Sequence, residues 1–80
     1  MDIQLIEGEF STNDALELTT KMIEVKIKFH ESKISNLHQE EDIKSREKKI
    51  KKLQDSLHEI RLFMNKKNDS VKVKSSIHIE

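Results

Sequence analysis

Eighty residues carry 15 Lys+Arg against 15 Asp+Glu, with one Gly and no Pro, Cys, Trp or Tyr, which leaves room for one small, charge-balanced domain at most. Without cysteine there is no disulfide framework and no thiolate metal site to staple so short a chain. The apolar share of 34% falls below the roughly 45 to 50% of ordinary globular proteins, so the core is thin and a partner surface is expected to complete it.

The chain opens with Ile3-Gln4-Leu5-Ile6-Glu7-Gly8-Glu9-Phe10, where Ile3 and Leu5 stand in period-two register and Gly8 marks a place for a bulge or bend. A strand over about 2–10 is predicted. Ser11-Thr12-Asn13-Asp14 follows, four residues whose side-chain oxygens accept bonds from the unpaired amides of a first helical turn. A helix over about 12–35 therefore begins here.

Within it Ala15, Leu18, Met22, Val25 and Phe29 recur at steps of three and four, and Leu16, Ile23, Ile27, Ile34 and Leu37 form an adjacent row. Together the rows read as one wide core-facing stripe. Glu17, Lys21, Glu24, Lys28 and Glu31 gather on the opposite side, with Glu17/Lys21 and Glu24/Lys28 in the favourable i,i+4 order.

The repeat lapses between Ser35 and Asp42, where a connection is expected, and a second helix over about 40–67 follows. Ile43, Arg46, Ile50, Leu53, Leu57, Ile60 and Met64 make a narrow heptad seam, polar only at Arg46, while Leu62 and Phe63 point elsewhere and need other cover. An antiparallel helical hairpin satisfies both patterns; one long coiled-coil rod from 14 to 67 is the competing reading. The hairpin is preferred because the apolar phase changes at the connection and because a last strand, about 71–80, must meet the first. That strand alternates Val71, Val73, Ile77 and Ile79 on one face.

The expected fold is thus α+β: an antiparallel helical hairpin whose N- and C-terminal strands pair as a two-stranded antiparallel ribbon, β-α-α-β. Leu5-Ile6-Glu7-Gly8-Glu9-Phe10-Ser11, the helical segment Lys26-Ile27-Lys28-Phe29-His30 and the closing Ser76-Ile77-His78-Ile79 resemble a family of small bacterial β-α-α-β proteins of unassigned function. The resemblance implies the same element order and assigns no functional residues.

Four histidines, at 30, 38, 58 and 78, are the groups that titrate near neutrality. None forms the one-turn His or Glu/His pair of a metal site, so no metal or other cofactor is expected. His30 lies in the apolar stripe with Lys26 one turn before it and Lys33 on the same side, a candidate contact for an anion or an acidic partner residue. The alternative is a boundary histidine beside lysines whose stems cover apolar surface.

Lys44, Arg46, Lys48, Lys49, Lys51 and Lys52 concentrate positive charge on the second helix. Residues 1–40 hold 4 basic and 8 acidic side chains, net −4, and residues 41–80 hold 11 and 7, net +4. Lys44, Lys48, Lys49, Lys51 and Lys52 are accordingly candidate nucleic-acid contacts, on an RNA or ribosome surface. Against this stand the absence of interleaved aromatics and the internal use of opposite charges along a hairpin.

Catalysis is not expected: one glycine cannot build a phosphate loop, and no cysteine nucleophile exists. No apolar run approaches the roughly 20 residues of a membrane span, and no signal-peptide pattern opens the chain, so the expected location is the cytoplasm. The expected role is a small non-catalytic protein-interaction or scaffold module that forms a homodimer or binds another protein, with RNA binding as the alternative.

Overall fold

The computed structural model describes residues 1–35, 39–67 and 69–80. Strand β1 (Asp2–Ser11) leads into helix α1 (Thr12–Ile34), which is followed by helix α2 (Glu40–Asn65) and strand β2 (Ser70–His78). The two strands pair antiparallel and the helices form a hairpin, so the molecule is an α+β protein of β-α-α-β order. Residues 36–38 of the expected connection, among them Leu37 and His38, lie outside the described residues.

Local chemistry accounts for the boundaries. Ser11 is extended (φ −60°, ψ 156°), and its hydroxyl accepts the backbone N–H of Asp14 at 3.1 Å, which caps the first turn of α1. Helix α2 starts at Gln39 without a side-chain cap, but Glu40, Glu41 and Asp42 place three carboxylates against the positive end of its dipole. Both helices end within two residues of the expected positions.

The ribbon solves a parity problem. Ile3 and Ile6 differ by three positions, so a regular strand would send them to opposite faces. A register shift between Gln4 and Ile6 bulges Leu5 out and restores one face: Ile3 opposes Ile77, Ile6 opposes Ser75, Gly8 opposes Val73 and Phe10 opposes Val71. The Gln4 side-chain amide holds the bulge by donating to the carbonyls of Ile6 (3.0 Å) and Ser75 (3.2 Å). The irregularity therefore sits at Leu5 and not at Gly8, over which the Phe10 ring folds instead. Glu7 faces Lys74 and Glu9 faces Lys72 on the outer side, where opposite charges across the strands suit water.

The ribbon leans on α1, half-burying Ile6, Phe10, Val71, Val73 and Ser75. Its backbone approaches α1 and not α2. The result is a plate of 47 × 32 × 13 Å with a radius of gyration of 15.2 Å, against about 11.6 Å for a compact chain of this length.

The wide stripe of α1 is divided between two surroundings. Leu16, Ile23, Ile27 and Ile34 are partly buried on the side that also carries buried His30, whereas Met22, Val25 and Phe29 are exposed. At 100° per residue the two rows point more than 90° apart, wider than one facing helix covers. The expectation that the whole stripe faces the core is corrected in this respect. Ala15, Leu57 and Met64 are buried, but among the described residues no large side chain is fully enclosed.

Candidate functional site

Two features of this plate stand apart from ordinary packing: a polar pair inside the hairpin with a basic cavity beside it, and a row of uncovered apolar side chains.

The polar pair joins the one polar member of the α2 seam to the histidine of the α1 stripe. Arg46 donates from Nη1 to Nδ1 of His30 at 2.9 Å, and its guanidinium lies 5.7 Å from the centre of the Phe29 ring. His30 is 6% exposed, and Phe29 meets its ring edge-on at 5.9 Å. Burial first, then the charges of Arg46, Lys49 and Lys26, hold the imidazole below its ordinary pKa. The ring is thus kept neutral as a hydrogen-bond acceptor for Arg46.

His30 also lines a cavity of about 300 Å³ together with Lys26, Lys49, Lys52 and Leu53. Of the residues expected to contact an anion, the structure brings together Lys26 and His30; Lys33 instead places its ammonium 5.4 Å from the centre of the Phe29 ring. The candidate nucleic-acid contacts divide as well. Lys44 pairs with Glu40 at 3.2 Å and Lys51 with Asp55 at 2.9 Å, Lys49 and Lys52 border the cavity, and Lys48 is exposed away from it. Sequence reading missed Arg46 as the partner of His30. The signal was present, since the two stand eight residues either side of position 38, where an antiparallel hairpin brings them level.

The second feature is the row Leu18, Met22, Val25 and Phe29, spaced four, three and four as in one seam of a coiled coil. Leu18 is half-buried, Val25 is 69% exposed and Phe29 52%. On α2, Leu62 and Phe63 are also about half exposed, and the Lys67 ammonium lies 5.1 Å from the Phe63 ring centre. At the far end of the ribbon Ile3, Leu5 and Ile77 are open to solvent.

Among the described residues no group of three His, Cys, Asp or Glu side chains is placed to hold a metal ion, and no helix is long and apolar enough to cross a membrane. No family model, curated protein or solved structure matches the chain.

Proposed function

We propose that the protein is a non-catalytic, self-associating interaction module in which the α1 row Leu18, Met22, Val25 and Phe29 packs against the same row of a second copy. Surface area carries this reading. The chain exposes 6540 Å², whereas a compact monomer of 9.4 kDa exposes about 5,000 Å². The excess of about 1,500 Å² is larger than the roughly 800 Å² that each partner contributes to a standard interface, and lies within the range of permanent dimers.

Charge supports a second copy as the occupant and sets its direction. The row is flanked by Asp14 and the Glu17–Lys21 ion pair at its N-terminal end, net acidic, and by Lys28 and Lys33 at its C-terminal end. Two such helices side by side in opposite directions bring the acidic end of each to the basic end of the other; a parallel pair sets like charges together. The two-fold axis then falls between Met22 and Val25.

Val25 is exposed in the single chain, so Val25→Asp changes the stability of the protomer itself by no more than about 0.5 kcal/mol. The expected outcome is a helical spectrum like that of the parent and a mass by light scattering of one chain in place of two. A Val25→Asp protein that keeps the mass of the parent assembly overturns the assignment of this row.

A further inference from the structure

The hydrogen bond between Arg46 and His30 determines where the imidazole proton sits. A guanidinium has donors only, so Nδ1 of His30, 2.9 Å from Arg46 Nη1, must be the accepting nitrogen. The neutral ring then carries its proton on Nε2. That nitrogen is buried and has no hydrogen-bond partner among the described residues. A buried donor left unmade is uncommon in folded proteins and calls for an acceptor.

The cavity that the same ring lines is bordered by lysines from both helices. Lys26 comes from α1 and Lys49 and Lys52 from α2, and none of the three makes an ion pair among the described residues. Elsewhere on the same helices Lys21, Lys44 and Lys51 each hold a carboxylate one turn away. Lys26 and Lys49 have no carboxylate three or four positions away in either direction, and the Asp55 within reach of Lys52 is engaged by Lys51. Three lysines without carboxylate partners leave the cavity in a positive field that an oxyanion offsets.

We propose that this cavity binds a phosphoryl group, as inorganic phosphate or as the head of a small phosphomonoester, with Lys26, Lys49 and Lys52 engaging its oxygens and a small shift of the cavity wall opening the buried His30 Nε2–H to one of them. Leu53 provides an apolar wall against which the organic part of an ester packs. The volume of about 300 Å³ lies at the small end of ligand cavities, fitting a phosphate with a compact substituent and not a large cofactor. The charged groups around the imidazole are Lys26 on α1 and Arg46, Lys49 and Lys52 on α2, all cationic. A bound dianion offsets that field, so His30 gains proton affinity when the site fills. The proposal does not depend on the dimer, because the cavity lies between the helices of one chain.

The test is a titration of the full chain with inorganic phosphate and, separately, with glycerol phosphate at constant ionic strength, following the ring proton signals of His30 by NMR. Saturable movement with a Kd below about 1 mM is expected, with no such movement in chloride. A phosphomonoester that binds tighter than inorganic phosphate identifies the ester as the ligand, and equal affinities identify the phosphoryl group alone. The double variant Lys49→Gln/Lys52→Gln, at exposed positions that leave the hairpin intact, is expected to weaken binding at least about tenfold, and His30→Gln, which keeps an N–H donor, less so. His30 signals that do not move with either phosphate, that move equally with chloride, or a lysine double variant that binds as well as the parent each overturn the proposal.

Discussion

Protonating His30 places a second positive charge against Arg46 in the interior of the hairpin, and the stability of the fold responds to pH accordingly. The ordinary imidazole value is 6.5, and burial together with Arg46, Lys49 and Lys26 lowers it in the folded chain. Above pH 6.5 the ring is neutral in both folded and unfolded chains, and the full stability is present. As pH falls below 6.5 the unfolded chain takes up a proton that the folded chain refuses, so stability declines until the lowered folded value is passed. Urea denaturation is expected to give a lower midpoint at pH 5 than at pH 7.5, and His30→Gln is expected to remove most of that difference. Equal midpoints for the parent at the two pH values contradict a buried neutral imidazole. Inside the hairpin, Leu57→Ala empties a position only 9% exposed and is expected to cost about 2 to 3 kcal/mol.

The helix starts and the strand alternation were legible because they arise from neighbours in sequence. Ser11 caps α1 through a bond to a residue three positions on, and its replacement by Ala is expected to cost about 1 kcal/mol by denaturant unfolding. Alternation from Val71 to Ile77 identified β2 for the same reason. The Leu5 bulge was not legible, since it answers to which residues of β2 stand opposite, a property of the pair and not of either strand. The α1 stripe shows the same limit: its width was visible, but not that α2 covers only one of its two rows. Lys26 and His30 were found together because they share one helix, whereas Lys49 and Lys52 joined them only once the hairpin closed. For the exposed row, an antiparallel pair of α1 helices separates the two copies of residue 14 by about 28 Å along the axis, and a parallel pair leaves them roughly 10 Å apart. The chain contains no other cysteine, so Asp14→Cys carries a single spin label whose pairwise distance decides between the two directions.

For the molecule as a whole the governing fact is a 13 Å plate that encloses no large side chain among its described residues. The charge balance of 15 against 15 conceals an acidic first half and a basic second half, and the ion pairs of the helices lie within one helix each among the described residues: Glu17–Lys21 on α1, Glu40–Lys44 and Lys51–Asp55 on α2. A phosphate in the basic cavity would add a further link between the helices, visible as a rise in melting temperature with ligand. The most direct test of self-association is sedimentation equilibrium of the unmodified chain across micromolar concentrations. A mass of twice 9.4 kDa that falls to one chain only on dilution is expected. A mass of 9.4 kDa at every concentration would contradict the assembly proposed here.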